Sequence, residues 1–209
     1  MKKIVKNPEP WEWRRFRTTS GVQYEPKPEL RDSLLKEQGY ICAYCMQSLP
    51  HDGTNTRIEH IKCRELHPQL ELDYSNMVIC CNGQSGNETH CDLHKKNRDV
   101  TFDLFSDPFF HTLSYTYKAQ GVTIHSNKAT WDDEINDILN LNCNMLQSNR
   151  KAAFDGAVDV LAKKPDWNRS ANHLKKLRDL YNEQRKDGSY QAFCGVIVWL
   201  LDKRIARIP

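Results

Sequence analysis

The sequence predicts an α+β protein in which a cysteine-rich part with short strands precedes a mostly α-helical part. Six of the eight cysteines lie between Cys42 and Cys91. The segments between them are short apolar runs bounded by turn residues, which is typical of strands. After Thr130, apolar residues recur at helical spacing. The three predicted parts are residues 1–40 (an N-terminal arm and a short helix), 41–125 (a compact module) and 126–209 (a helical C-terminal region).

The first 27 residues contain three prolines and the string WEWRRF without a clear period, and we expect an extended arm. The next segment, PELRDSLLKEQG, places three leucines on one helical face. Pro28 lies just inside its start and Gly39 just past its end, which are the positions these residues prefer. A short helix is therefore predicted directly before ICAYC.

Short elements follow in the cysteine-rich part. RIEHI and NMVIC are predicted strands joined by a polar loop, and HCDLHKKNRDV is a predicted helix with a charged face. LSYTYKAQGVTIH predicts a hairpin with Gly121 near its turn.

The C-terminal region is predicted to be helical throughout. Thr130 is a candidate N-cap for TWDDEINDILNL, paired with Asp133. Three more helices are predicted within NMLQSNRKAAFDGAVDVLAKK, RSANHLKKLRDLYNEQRK and YQAFCGVIVWLLDKRIAR.

Composition places the chain among soluble globular proteins, with 39% hydrophobic and 27% charged residues. The longest apolar run, CGVIVWLL, is far shorter than the roughly 20 residues of a membrane span. The N-terminal lysines precede no apolar stretch, so no signal peptide is predicted. We expect a cytoplasmic protein without membrane association, in which disulfides do not persist.

Charge is unevenly distributed along the chain. Residues 1–40 carry nine basic against six acidic side chains, residues 41–149 eight against fourteen, and residues 150–209 thirteen against seven. An acidic centre between basic flanks suits a metal-bearing site whose polyanionic partner is held from the sides. Solvated helix faces explain the same charges without any partner.

The cysteine spacing predicts a structural zinc site. Cys42 and Cys45 form a C-x-x-C turn, which fixes two corners of a tetrahedron. The later string CCNGQSGNETHC supplies the other two thiolates, and the expected ligand set is Cys42, Cys45, Cys81 and Cys91. Two alternatives stay open: Cys80 in place of Cys81, and His90 in place of a cysteine. Four thiolates close the site to substrate, so this zinc stabilises a module that has little core of its own.

Between and after the cysteines lie Glu59, His60 and Asn76, and then Asp92, His94 and Asn97. In this order, YICAYC, RIEHI, YSNMVICC and HCDLHKKN resemble the zinc-stapled HNH nucleases, which have a ββα-metal fold. The phrases KKIVKNPEP, GYICAYCM and LNLNCNML resemble the HNH subunit of Septu-type anti-phage defence systems, the PtuB-like group, which also occurs beside retrons.

The resemblance implies a metal-dependent endonuclease. His60 would be the base that activates water, and Asn76 would pin the loop and orient His60. Glu59 would bind a hard catalytic cation, Mg²⁺ or Mn²⁺. Asp92 and His94 are equal candidates for the next cation ligand, with Asn97 behind them. Because adjacent strand residues point to opposite faces, Glu59 and His60 can share a site only at a strand end or bulge.

The resemblance also implies partners: an ABC-type ATPase subunit (PtuA-like) that restrains the nuclease, and in some settings a retron reverse transcriptase with its msDNA. DNA is the expected substrate, and RNA, including tRNA, is the alternative. A function of another class is a non-catalytic zinc module that binds nucleic acid or protein. In that module Glu59 and His60 have no chemical task.

Overall fold

The computed structural model describes residues 1–208, and it has the predicted α+β architecture, with three two-stranded antiparallel sheets. The helices are α1 (Trp11–Arg17), α2 (Pro28–Glu37), α3 (Cys91–Lys95), α4 (Asp107–His111), α5 (Ala129–Asp133), α6 (Asn144–Ala162), α7 (Pro165–Asn168), α8 (Ala171–Asn182) and α9 (Cys194–Ile205). The strands are β1 (Thr56–His60), β2 (Met77–Cys81), β3 (Gln84–Ser85), β4 (Glu88–Thr89), β5 (Leu113–Lys118) and β6 (Gly121–Ser126).

The β1–β2 pair is the framework of the cysteine-rich part. Its register sets Thr56 opposite Cys81 and His60 opposite Met77, so the strand that carries Glu59 and His60 lies beside the strand that ends in two cysteines. Every residue of β2 is buried. Helix α3 follows and packs on β2. Both predicted strands are confirmed, and the predicted helix is present but only five residues long.

Helix α2 forms as its sequence predicts. Its three leucines, Leu30, Leu34 and Leu35, are fully buried. Burial of each contributes about 1.5–3 kcal/mol relative to exposure. Gly39 follows the helix with φ +59°, the left-handed conformation that ends helices at glycine.

The N-terminal arm is not extended throughout, because α1 interrupts it. Pro10 immediately precedes this helix, Glu12 lies in its first turn and basic residues lie in its last turn, which matches the helix dipole. Trp13 is buried and its indole donates to the Leu72 carbonyl at 3.3 Å. The expectation of an extended arm was wrong at α1. The acidic residue at the start of WEWRRF and the basic residues at its end are the sequence signal that could have predicted this helix.

The predicted hairpin is confirmed as β5–β6, and it packs against α6. Arg150 of α6 is buried and donates to the Val122 and Leu141 carbonyls, both at 2.8 Å. Its guanidinium therefore binds backbone inside the fold and does not face solvent. Thr130 is not an N-cap: α5 begins one residue earlier, and Lys128 occupies the cap position. A π-helical segment, Glu134–Ile138, follows α5 directly.

The last helix begins later than predicted. Phe193 has φ +56°, outside the helical region, so α9 starts at Cys194. One hydrophobic cluster runs from the N-terminal arm through the cysteine-rich part to α9. Within residues 1–208, no helix combines the length and the apolar character needed to cross a membrane.

Gly83 permits a close approach between the β2 end and α3. Its φ is +73°, and a Cβ there would lie 2.5 Å from the His90 carbonyl oxygen and 2.7 Å from the Leu93 Cβ. We expect Gly83→Ala to lower the free energy of unfolding by about 2–4 kcal/mol. The backbone at His90 must move away from the new methyl group, and the alanine itself must adopt an unfavourable φ. Urea denaturation measures this. Gly86→Ala is the matched control, since Gly86 has φ +55° but open space around it. Equal losses in the two variants would contradict the close approach.

Candidate metal centre and adjacent cleft

Four buried cysteines form one cluster: Cys42, Cys45, Cys81 and Cys91. Their sulfur atoms all lie within 4.8 Å of one another. The Cys42–Cys91 and Cys45–Cys81 sulfur pairs are each 3.8 Å apart. Tetrahedral Zn²⁺ with Zn–S bonds of about 2.3 Å requires sulfur separations of about 3.8 Å. The predicted ligand set is thus confirmed as a cluster that can hold a metal such as zinc, and Cys81 rather than Cys80 belongs to it.

Local backbone geometry builds this cluster. In the C-x-x-C turn, the Met46 amide donates to the Cys42 carbonyl at 3.1 Å, and the Gln47 amide lies 3.5 Å from the Cys45 sulfur. Cys81 ends β2, and Cys91 begins α3 with φ +55°. The four sulfurs therefore come from three separate segments, which a bound metal would tie together.

The electrostatics of the cluster call for a cation. Burial opposes ionisation, yet hydrogen bonds from the surrounding thiols hold the pKa of Cys42 well below its usual value. Burial raises the pKa of Cys45 and of Cys91 well above theirs. The pKa of Cys81 is lowered as well: its hydrogen bond with Cys42 raises the pKa, but those with Cys45 and Cys91 lower it. A divalent cation would favour ionisation of all four thiols, and this donor set fits zinc.

His90 lies beside the cluster, and the remaining cysteines are not part of it. His90 is buried with Nδ1 3.2 Å from the Cys91 sulfur, and its Nε2 has no hydrogen-bond partner among the described residues. Cys63 donates to the Asn97 carbonyl at 3.2 Å. Cys143 and Cys194 are buried free thiols outside the cluster.

A cleft of about 280 Å³ lies beside the cluster, between β1, the loop after it and α3. Its polar lining includes Glu59, His60 and Asp92, together with the cationic residues Arg57, Arg64 and Lys96. Glu59 and His60 are adjacent in sequence, yet both reach the cleft. The predicted condition is met, because β1 ends at His60.

Two buried donors bind one carboxyl oxygen of Glu59. Its side chain is 4% exposed. The Tyr44 hydroxyl donates to Oε1 at 3.0 Å, and the Lys95 ammonium lies 2.9 Å from the same oxygen. Burial, together with the hydrogen bond to Asp92 and its charge, raises the pKa of Glu59 to about 8 against the opposing charge of Lys95, so without a cation this carboxyl group is mostly protonated at neutral pH. Two carboxyl groups that face one cleft become a donor set for a hard cation when the cation displaces the proton of Glu59.

The His60 ring has a defined orientation. Its Nε2 lies 2.9 Å from the Glu71 carbonyl oxygen, and the Tyr24 ring packs edge-on at 4.6 Å between centroids. A carbonyl only accepts, so Nε2 carries the proton and Nδ1 is the free acceptor. Burial lowers the pKa of His60 to about 4, so the imidazole is neutral at physiological pH. A neutral imidazole with a free nitrogen can accept a proton.

Asn76 ties the loop that follows β1. Its Oδ1 accepts from the Lys62 amide at 2.8 Å, and its Nδ2 donates to the Lys62 and Leu70 carbonyls at 3.0 and 3.2 Å. The side chain thus joins the two ends of the loop that carries Glu71, the partner of His60. This placement agrees with the expected pinning role.

The three candidates for the further cation ligand are placed differently. Asp92 lines the cleft and pairs with Arg57. Asn97 also lines it, and its amide bonds Glu65. His94 is not among the lining residues, and its Nδ1 lies 2.9 Å from the Thr89 hydroxyl. The structure therefore brings Asp92, and not His94, together with Glu59 and His60.

Sequence reasoning missed three residues around this site. Lys95 was assigned to a charged helix face, but it is fully buried against Glu59. Tyr44 and Tyr24 had no assigned role. For Tyr44 a signal existed, namely its position inside the C-x-x-C turn of the predicted zinc site. For Tyr24, 36 residues before His60, the sequence offered none.

No model of a known protein family matches the chain, and no curated protein matches it.

Proposed function

We propose that the protein is a metal-dependent HNH-type endonuclease that hydrolyses phosphodiester bonds of nucleic acid, with DNA the favoured substrate. One observation carries the proposal: two carboxyl groups and a neutral imidazole line one cleft together with cationic side chains. The order β1, β2, α3 beside a thiolate cluster supports a ββα-metal arrangement with structural zinc.

The cation site is assigned to Glu59 and Asp92, whose oxygens suit Mg²⁺ or Mn²⁺. When bound, the cation supplies neutralisation of the charge that grows on the phosphate and the leaving oxygen. His60 takes a proton from water at Nδ1, because its other nitrogen is held by the Glu71 carbonyl. Asn76 and Tyr24 keep that ring in place.

Binding of the polyanion is assigned to the cationic rim. Arg57, Arg64 and Lys96 line the cleft and can contact phosphates on either side of the scissile bond. Arg64 also lies over the Tyr24 ring, 4.7 Å from its centroid, which holds its guanidinium near His60. Backbone contacts of this kind read no base and no 2′-hydroxyl, so RNA is the alternative substrate.

The proposal is tested by incubating the purified full-length protein with circular DNA, single-stranded DNA and RNA. Cleavage is expected with Mg²⁺ or Mn²⁺, and EDTA is expected to abolish it. If neither metal supports cleavage of any substrate, even with the partner ATPase present, the enzyme proposal fails.

The placement of Asp92 and His94 gives a sharper prediction. We expect Asp92→Asn to lower the cleavage rate at limiting Mn²⁺ by about 10–100-fold, because an amide is a weaker cation ligand than a carboxylate. His94→Ala is the matched control on the same helix and is expected to stay within about threefold of the wild type. Cleavage rates across a Mn²⁺ titration measure both. The reverse ranking would move the ligand role to His94.

A non-catalytic zinc module is the second candidate. The buried Lys95–Glu59 pair favours it, because a buried carboxyl group held by an ammonium can be purely structural. The two functions differ in cation binding, since the module needs no ion at Glu59 and Asp92. Isothermal titration of the zinc-loaded protein with Mn²⁺ separates them, and absence of binding supports the module.

We place the enzyme in anti-phage defence, as the effector controlled by an ABC-type ATPase of the PtuA-like group, with a retron reverse transcriptase and msDNA as further partners in some systems. The support is the resemblance of the flanking phrases. Co-purification of the co-expressed chain with the ATPase encoded beside it tests this assignment, and absence of a complex removes it.

A further inference from the structure

Tyr44 connects the thiolate cluster to the cleft. It lies inside the C-x-x-C turn, between Cys42 and Cys45, and its side chain is fully buried. Its hydroxyl crosses to β1 and donates to Glu59 Oε1 at 3.0 Å. The turn that supplies two thiolates therefore also supplies a hydrogen bond to a carboxylate of the cleft.

Lys95 makes the second connection. It is fully buried on α3, the helix that Cys91 begins, and its ammonium lies 2.9 Å from Glu59 Oε1 and 3.3 Å from the His60 carbonyl oxygen. Both donors to Glu59 are therefore carried by segments that contain cluster cysteines. Displacement of either segment would move a donor away from the carboxylate.

The two donors share one carboxylate oxygen. Because Tyr44 and Lys95 both bind Oε1, Oε2 has neither of these donors, and the Glu59 side chain also hydrogen-bonds to Asp92, which lines the same cleft. The rotation of the carboxyl group is thereby fixed. A buried carboxylate with a fixed rotamer binds a cation with less loss of side-chain entropy than a free one.

We propose that Tyr44 is a positioning residue for the cation site, and that the zinc-binding turn sets cation affinity through the hydrogen bond from Tyr44 to Glu59. This inference rests on the proposed function, because it needs a cation at Glu59 and Asp92. It assigns the zinc turn a task beyond stability. The turn orients a ligand of a second metal.

The test compares Tyr44→Phe with Tyr74→Phe in the zinc-loaded full-length protein. Tyr74 is a matched control, since it is also buried and its hydroxyl also donates to a buried glutamate, Glu37, at 2.9 Å. Mn²⁺ affinity is measured from the electron paramagnetic resonance signal of the free ion, and zinc content is measured on the same samples. We expect the Kd for Mn²⁺ to be about tenfold higher in Tyr44→Phe, with zinc retained, and to change by less than twofold in Tyr74→Phe.

Cleavage provides the second readout. Tyr44→Phe is expected to need about tenfold more Mn²⁺ for half-maximal rate and to regain the wild-type rate at saturation, which a general loss of structure would not give. Unchanged Mn²⁺ affinity in Tyr44→Phe, with normal binding by the wild type, overturns this inference alone. No Mn²⁺ binding by the wild type overturns the cation site as well.

Discussion

Replacing His60 by alanine is expected to lower the rate of phosphodiester cleavage by about 10²–10⁴-fold, the usual contribution of a general base. The ring is held by the Glu71 carbonyl and the Tyr24 ring, and alanine removes the imidazole from the lining of the cleft. Mn²⁺ affinity is expected to stay within a few-fold, because the proposed cation ligands are Glu59 and Asp92. Single-turnover cleavage at saturating Mn²⁺ measures the chemical step.

Stability must be measured with the rate. The variant leaves the Glu71 carbonyl without its imidazole partner and opens a small space, and we expect a loss of about 1–2 kcal/mol in the free energy of unfolding. That corresponds to a melting temperature lower by a few degrees. His67→Ala is the control, since His67 is partly buried and, like His60, hydrogen-bonded, to Asp99 at 2.7 Å, outside the cleft lining. A His60→Ala protein that is folded and cleaves at the wild-type rate would eliminate the general-base role.

Local pattern was sufficient for the parts of this fold in which neighbours in sequence decide the structure. The two strands follow from short apolar runs bounded by turn residues, and α2 follows from its leucine spacing and the terminal Pro28 and Gly39. The thiolate cluster was predicted because zinc geometry restricts which cysteines can meet. The sequence put Cys81 in the expected set but left Cys80 open in its place, and the closeness of the Cys81 sulfur to the other three decides for Cys81.

The sequence pattern did not predict contacts between side chains that are far apart in the chain. Asp92 and His94 are two residues apart on one short helix, and only the packing of α3 on β2 decides which of them reaches the cleft. The sequence alone predicts a surface position for Lys95, because its partner Glu59 is 36 residues away in the chain. The contact of Tyr24 with His60 depends on how the arm folds back, which α1 and Trp13 determine.

Replacing Cys81 by serine is expected to release zinc and destabilise the cysteine-rich part. A serine hydroxyl is a poor zinc ligand at neutral pH, and structural zinc contributes about 10–16 kcal/mol of apparent binding free energy in small zinc modules. That value equals or exceeds the total stability of most domains, about 5–15 kcal/mol. We therefore expect a loss of at least about 3–5 kcal/mol, seen as a melting temperature lower by about 10 °C or more.

The adjacent cysteine supplies a matched control for this prediction. Cys80 and Cys81 are both buried on β2, but only the Cys81 sulfur belongs to the cluster. Cys80→Ser buries a hydroxyl at a cost of about 1–3 kcal/mol and is expected to keep one zinc per chain. Metal content and thermal melting, measured with and without a chelator, should therefore separate the two variants. Equal zinc retention would mean that three thiolates and His90 suffice, since His90 Nδ1 already lies 3.9 Å from the Cys81 sulfur.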